Sequence, residues 1–402
     1  METVDKETGE IHSHQKGKGS FWISRQAIQI LIDNKATAMD ICTYLVLAKH
    51  TDESGQFSSS GIQAIYRAIG VGHAVAERSA LSLCQMQATK SRKVGKGQVQ
   101  ALVYKAADWA AKTGQVLPER PTERSQVRWV LNDFGGDPAD KVWLGNELVE
   151  GFGRFSQPLK RLKRCGDMAA RLLLVCYREN DLEQVGGVKP QGAFADTYTM
   201  SKMKTGIHGY DLWHGVHKFP TIWGAARFLG LKDLPKDEEA KAAALDPIWR
   251  GIESLDASGF IYQVVSVMDA EAGQDDAQVI YELDTKSRHG YKPKGEMGLG
   301  GDTARISHRL NHPVADNTGR LYGRYAVIVP AGVQPHVVGI YRLRFRVANP
   351  KNHGVKGSWA RIHNSQKEAQ EWIEDVAARE GIELGAKPVN QPANNEQNEV
   401  PF

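Results

Sequence analysis

The sequence predicts an α+β protein, because helical and strand-like hydrophobic patterns follow one another in the same order in two parts of the chain. Apolar residues recur at helical spacing in residues 24–32, 37–50 and 73–87. Residues 99–104 instead alternate in the manner of a strand. The chain has 402 residues, of which 41% are hydrophobic, and therefore has material for two or three packed domains.

Composition and turn signals divide the chain into six segments. Proline and glycine are frequent in the connector between the two folded parts, and proline, asparagine, glutamine and glutamate are frequent at the C-terminal end. The predicted segments are a disordered lead at 1–19, a first domain at 20–110, a linker at 111–140, a second domain at 141–284 with an insertion at 185–220, a basic C-terminal region at 285–380 and a disordered tail at 381–402.

The first domain has the element order of a winged helix. Its predicted elements are helices at 24–32, 37–50 and 62–69, a turn at Gly70-Val71-Gly72, a helix at 73–87, a basic arm at 90–98 and a strand at 99–104. Ser58, Ser59 and Ser60 are candidate N-caps of the short third helix. A glycine-containing turn between two helices lets the second one enter the major groove of DNA, and the hairpin that follows is the wing.

This interpretation nominates contacts to double-stranded DNA. Residues early in the helix at 73–87 are expected to meet base edges, and the hairpin tip is expected to meet phosphate or the minor groove. The candidates on the helix are His73, Glu77, Arg78 and Ser82, and those on the wing are Lys90, Arg92, Lys93 and Lys96.

Residues 141–284 repeat the same plan and predict a second winged helix. Val142-Trp143-Leu144 resembles Phe21-Trp22-Ile23, and the apolar pattern of residues 167–178 resembles that of residues 40–50. The remaining predicted elements are helices at 221–229 and 247–258 and a hairpin whose strands are 260–268 and 277–283.

The second predicted wing differs from the first in charge. Its tip at 270–276 is flanked or occupied by acids, so it should avoid phosphate. DNA contacts are expected instead from an earlier basic cluster or from the start of the helix at 247–258, and the alternative is that this domain contacts protein. The candidates are Lys160, Arg161, Lys163 and Arg164 in the cluster, and Trp249 and Arg250 on the helix.

Positive charge is concentrated although the net charge is only +4. Residues 78–107, 151–166 and 317–367 contain no acid, which indicates a polyanionic partner; the alternative is a set of ordinary solvated basic faces. The strand at 341–347 alternates. Tyr341, Leu343, Phe345 and Val347 are predicted on a packed face, and Arg342, Arg344 and Arg346 on an exposed face. Three guanidiniums about 7 Å apart suit phosphates, and the alternative is an exposed strand with no ligand.

Several function classes lack their motifs. The sequence contains no GxxxxGK[ST], GxSxG or HExxH, and its histidine spacings do not match the metal site of nicking replication enzymes. The four cysteines have no zinc-site spacing. The sequence therefore predicts no enzyme, no metal and no cofactor. It has no apolar run long enough for a membrane span and no secretory leader, so we expect a cytoplasmic protein without membrane contact.

The chain ends in Asn398-Glu399-Val400-Pro401-Phe402. This ending resembles the acidic, Pro-Phe-terminated tip of bacterial single-stranded-DNA-binding proteins, although it carries fewer acids. The resemblance implies that Val400, Pro401 and Phe402 bind replication proteins, with the terminal phenylalanine and carboxylate in an apolar pocket rimmed by a basic residue.

Two winged helices, a basic connector and this tail together resemble plasmid replication initiators of the tandem winged-helix type. The resemblance covers residues 20–284 and concerns architecture rather than a diagnostic motif. It implies binding to repeated origin sequences, helicase recruitment and self-repression as a homodimer, for a plasmid, phage or other mobile element. The basic C-terminal region is additional to that pattern. The alternatives are a transcriptional regulator and a nucleic-acid-binding accessory subunit of a larger nucleoprotein complex.

Overall fold

The computed structural model describes most of the chain and shows an α+β protein. The described residues are 2–4, 11–13, 19–87, 101–119, 122, 125–132, 140–152, 155–181, 185–231, 234–270, 277–289, 298–310, 324–346 and 356–384.

Helices occur along the whole described chain. They are α1 (Arg25–Asp33), α2 (Ala38–Lys49), α3 (Ile62–Ile69), α4 (His73–Gln85), α5 (Ala106–Thr113), α6 (Glu147–Glu150), α7 (Pro158–Cys165), α8 (Asp167–Arg178), α9 (Trp223–Phe228), α10 (Glu238–Ala257), α11 (Gly300–Arg309) and α12 (Lys356–Arg379).

The strands are mostly short before residue 195 and long after it. They are β1 (Glu2–Val4), β2 (Ile11–Ser13), β3 (Ser20–Ser24), β4 (Phe57–Ser58), β5 (Val103–Lys105), β6 (Trp129–Leu131), β7 (Lys141–Gly145), β8 (Gly151–Phe152), β9 (Phe155–Ser156), β10 (Asn180–Asp181), β11 (Gly187–Val188), β12 (Ala195–Ile207), β13 (Tyr210–Thr221), β14 (Ile261–Met268), β15 (Val279–Lys286), β16 (Arg324–Pro330) and β17 (His336–Leu343).

Side chains cap the first two helices. The Ser24 hydroxyl accepts from the Ala27 amide at 3.0 Å and begins α1. Thr37 and Asp40 form a reciprocal capping box that begins α2. The Asp167 carboxylate accepts from the Ala38 amide at 2.7 Å, so the first residue of α8 supplies a hydrogen-bond acceptor to an N-terminal amide of α2. These bonds orient α2 against α8 in a shared apolar core.

The two segments that resemble each other in sequence are partners in space. β3 and β7 pair antiparallel, with Trp22 opposite Trp143 and Ile23 opposite Val142. The ammonium of Lys141 lies 4.4 Å from the Trp22 ring centroid. The helices predicted at residues 37–50 and 167–178 are confirmed as α2 and α8, and they contact each other. The repeated pattern therefore builds one interface between the two halves.

A six-stranded antiparallel sheet dominates the second part of the chain. Its strand order is β15-β14-β17-β12-β13-β16. β12 and β13 come from the predicted insertion, β14 and β15 from the predicted second domain, and β16 and β17 from the predicted C-terminal region. The boundary expected at residue 284 thus separates strands that pair, and the insertion is part of the sheet. This arrangement depends on pairing between segments that are distant in the chain, and the local hydrophobic pattern does not predict such pairing.

The outer strands of this sheet approach each other. The Tyr281 hydroxyl on β15 lies 3.0 Å from the Ile328 amide and 3.1 Å from the Ile328 carbonyl on β16. Both α11 and α12 contact β15 and β16. The sheet is therefore curled enough for the Tyr281 side chain on one edge strand to reach the backbone of the other, and α11 and α12 help to bury its apolar residues.

Some element boundaries differ from the expectation. The N-cap of α3 is Gly61, and the Ser58 hydroxyl instead donates to the Leu47 carbonyl at 2.7 Å. The helix expected to begin at Pro247 begins nine residues earlier, because Asp237 caps it and Pro247 lies within α10. The predicted second hairpin is confirmed as β14 and β15.

Candidate nucleic-acid interface

A short glycine turn connects α3 to α4. Gly70 has a left-handed backbone with φ 69° and donates its amide to the Tyr66 carbonyl at 2.8 Å. Glycine adopts this conformation without steric cost, whereas an L side chain there is strained. Val71 and Gly72 complete the turn, and α4 begins at His73. The predicted helix–turn–helix sequence of elements is present.

Buried polar bonds fix α4 against α2. The Ser79 hydroxyl lies 3.0 Å from the Asp40 carboxylate and 2.9 Å from the Thr43 hydroxyl. Ser79 and Thr43 are buried, as are Ala80 and Leu83 on the same side of α4. A buried polar network sets orientation as well as stability, because it is favourable only in one arrangement. The opposite face of α4 is therefore presented in a defined direction.

That opposite face is solvent-exposed. His73, Glu77 and Arg78 lie on it, as predicted, and Ser82 is half-buried. Val75, 44% exposed, and Leu81 add apolar surface beside them. A cation, hydrogen-bonding groups and apolar side chains on one exposed helix face match the contacts by which proteins read base edges and thymine methyl groups.

Only the base of the predicted wing falls on described residues. Gln87 and Ala101 form an antiparallel bridge, and the Leu102 amide donates to the Met86 carbonyl at 2.9 Å. Residues 86–87 and 101–102 are thus antiparallel neighbours at the end of α4. The predicted wing contacts lie outside the described residues; they are Lys90, Arg92, Lys93 and Lys96.

The basic helix α7 lies beside the α3–α4 turn. A Cβ placed on Gly70 would lie 3.0 Å from Cδ of Lys160, so the Lys160 side chain crosses this turn. Arg164 is exposed and Lys163 is half-buried. Arg161 differs from the prediction, because its guanidinium donates to the Ser258 carbonyl within the protein. The structure thus brings Lys160 to the predicted interface and engages Arg161 internally.

Arg250 is exposed on α10, where its Nε lies 2.8 Å from Oδ2 of Asp246. This pair is one helical turn apart and open to solvent, so it contributes little to stability. The adjacent Trp249 is half-buried and packs against the core.

The exposed arginine face predicted for a strand at 341–347 is wrong, and the strand in the structure, β17, ends at Leu343. Arg342 is fully buried, and its guanidinium bonds to the Gly186 carbonyl at 2.7 Å and to the Glu282 carboxylate. Arg344 is only 7% exposed and Arg346 is half-buried. Arg342 is buried because β17 lies inside the sheet, between β14 and β12. A buried arginine requires such partners, and Arg342 and Arg344 are therefore not available to a phosphate backbone.

The structure adds a basic groove that the sequence did not nominate. It has a volume of about 850 Å³ and lies at the start of α3. Its lining includes His50, Ser60, Gly61, Arg67, His73 and Arg128. Arg128 immediately precedes β6, which pairs with β4 and β5. This non-local pairing carries Arg128 to the start of α3.

The groove contains a histidine that is neutral at pH 7. Burial lowers the pKa of His50 below its ordinary value of about 6.5. Its Nδ1 lies 2.8 Å from the Val46 carbonyl, which requires the proton on that nitrogen. Arg67 and Arg128 contribute fixed positive charges to the groove.

One predicted site, the partner-binding tail, cannot be located in the structure. Val400, Pro401 and Phe402 lie outside the described residues. Over the described ranges, no group of three or more histidine, cysteine or acidic side chains is placed to hold a metal ion. Within the same ranges, no helix has both the length and the apolar character needed to cross a bilayer.

No protein-family model matches the chain. Comparisons with curated proteins and with solved structures also give no match. The function is therefore inferred from the surfaces described above.

Proposed function

We propose that this chain binds double-stranded DNA sequence-specifically, with α4 as the recognition helix of a winged-helix domain. The observation that carries the proposal is the two-sided character of α4. Its inner side is held by the buried Ser79 network, while its outer side exposes His73, Glu77 and Arg78. A fixed helix with exposed hydrogen-bonding groups on one face suits direct readout in the major groove.

The surroundings of α4 favour a polyanion over other partners. Lys160 crosses the turn that precedes the helix, and the chain that follows it enters the acid-free basic arm. Charges placed on both sides of a recognition helix position the duplex by contacting phosphates, whereas the helix itself supplies specificity. With about six phosphate contacts, affinity should fall with a log–log salt slope of roughly −5.

We further propose that the DNA is a replication origin of a plasmid, phage or other mobile element. What supports this role is the paired construction of the two halves, in which β3 joins β7 and α2 contacts α8. A tandem arrangement suits repeated DNA sites. The C-terminal tail would then recruit replication proteins, and dimers would repress the promoter of the protein's own gene.

A binding screen and a footprint test the proposal. Gel shifts with a randomised duplex library at two salt concentrations should enrich a defined sequence and show the steep salt slope. Footprinting on the element's own DNA should then show repeated sites beside an AT-rich stretch. A single promoter operator would assign the chain to transcriptional regulation, and binding without sequence preference would point to an accessory subunit. A flat salt response would contradict contact with the DNA backbone.

A further inference from the structure

The start of α3 opens onto the basic groove without a side-chain cap. Gly61, the N-cap, has no side chain to accept from the first amides. The first bond of the helix runs from the Ala64 amide to the Gly61 carbonyl at 2.9 Å, so the helix supplies no acceptor for the amides of Ile62 and Gln63. Free amides at a helix start carry partial positive charge and bind anions.

A second observation at the same place indicates a ligand. Ser60 lines the groove and is only 3% exposed. Within the described part of the chain, its hydroxyl has no hydrogen-bond partner. A buried hydroxyl that stays unpaired is costly, and structures generally avoid it. An oxygen-rich ligand in the groove would accept from this hydroxyl and remove the cost.

Arg128 supplies a positioned positive charge. Its amide donates to the Ser58 carbonyl at 2.9 Å, and its carbonyl accepts from the Ala106 amide at 3.0 Å. A Cβ on Gly61 would lie 3.8 Å from both Cδ and Nε of Arg128, so the side chain packs across the start of α3. Arg67 lines the same space, and none of the described lining residues is acidic.

From these features we propose that the α3 groove is a binding site for a phosphate group. Helix amides, a buried hydroxyl and guanidiniums converge on it, and these are the donors that hold phosphate in proteins. A volume of about 850 Å³ exceeds one phosphate and suits a phosphate attached to a larger body. That body is either the backbone of DNA or a free nucleotide. A phosphate of the DNA backbone as the ligand rests on the proposed function, whereas a free nucleotide as the ligand does not.

The test uses the full chain and three variants, Arg128→Gln, Ser60→Ala and, as a matched control, Arg379→Gln. Arg379 is exposed at the end of α12 and pairs with Asp375. Calorimetry measures binding of inorganic phosphate and of adenosine monophosphate, and fluorescence anisotropy measures duplex affinity. Thermal unfolding of each variant establishes that it is folded.

Two results support the site and identify its source. Free phosphate or nucleotide binding that weakens about tenfold in Arg128→Gln, and less in Ser60→Ala, assigns a soluble ligand. Duplex affinity that weakens to the same extent, with a salt slope smaller by about one, assigns a backbone phosphate. In either case Arg379→Gln should behave as the unaltered chain does.

The inference and the proposed function fail separately. If the chain binds neither phosphate nor nucleotide, and both groove variants bind duplex like the unaltered chain, the phosphate site is wrong while DNA binding stands. If the chain binds nucleotide through Arg128 and does not bind duplex, the site stands while the proposed function is wrong.

Discussion

The outer face of α4 and the strand β17 carry arginines that look alike in sequence and differ completely in the folded chain. Arg78 on α4 is exposed, whereas Arg342 on β17 is fully buried against Glu282. The helix lies at the surface because only one of its sides packs on α2. The strand is interior because two other strands flank it and helices cover the sheet. An arginine therefore indicates a nucleic-acid surface only where the position of its element is known.

The largest effect is expected from Arg342→Met. This change leaves the Glu282 carboxylate buried without its guanidinium, which typically costs about 3–5 kcal/mol of stability. Urea unfolding should show the loss. The double variant Arg342→Met/Glu282→Leu should recover much of it, since no buried charge then remains. If Arg342→Met instead kept full stability and lowered duplex affinity, the interior position of this side chain would be wrong.

Arg78→Ala should have the opposite profile. The exposed side chain contributes little to folding, so the unfolding free energy should change by less than about 0.5 kcal/mol. Binding to the preferred site should weaken by about 1–3 kcal/mol, with relaxed discrimination at one base position, because a base contact is lost. Anisotropy on matched and mismatched duplexes measures both effects. Equal weakening on every sequence would show that Arg78 contacts only phosphate.

Lys160→Gln should produce a smaller and sequence-independent effect. Lys160 crosses the turn before α4, so under the proposed function we expect it to contact the DNA backbone. Removing one phosphate contact should reduce the log–log salt slope by about one. Arg161→Gln is the paired control, since that side chain already bonds to the Ser258 carbonyl. A salt slope that falls for Arg161→Gln and not for Lys160→Gln would reverse the assignment.

The smallest expected effect concerns Asp211, a buried carboxylate on β13. Burial alone would raise the pKa of Asp211, but hydrogen bonds from Lys202 and from the amides of Gly332 and Gly206 lower it below its usual value. A depressed carboxyl pKa stabilises the fold above the unfolded pKa, near 3.9, and this contribution is lost as pH falls through the folded pKa. Asp211→Asn should therefore be less stable than the unaltered chain at pH 7.

Thermal unfolding between pH 7 and pH 2 measures this dependence. The difference between Asp211→Asn and the unaltered chain should shrink below about pH 4, because the unaltered carboxyl then becomes neutral as well. A constant difference over the whole range would mean that the charge of Asp211 does not contribute.

Much of the helical part could be predicted from sequence, because its signals are local. Apolar spacing located α1, α2 and α8, and the glycine turn located the start of α4. The predicted surface positions of His73 and Arg78 agree with the structure, since the apolar side of the same helix determines them.

The groove at α3 could be predicted only in part. Arg67 and His73 belong to the neighbouring helices α3 and α4, but Arg128 comes from a segment that appeared to be a linker. β6 pairs with strands that lie far from it in the chain, and this pairing places Arg128 over Gly61. No local sequence pattern predicts which strands β6 pairs with.

The amino-acid sequence by itself determined α1 to α4, the turn that separates α3 from α4, and the resemblance between the two halves. The tertiary structure decided which basic residues face solvent and that three distant segments share one sheet. The physical reason is the distance along the chain between the residues that interact. Helix periodicity, capping and glycine turns depend on residues a few positions apart, whereas burial of a strand depends on its neighbours in space.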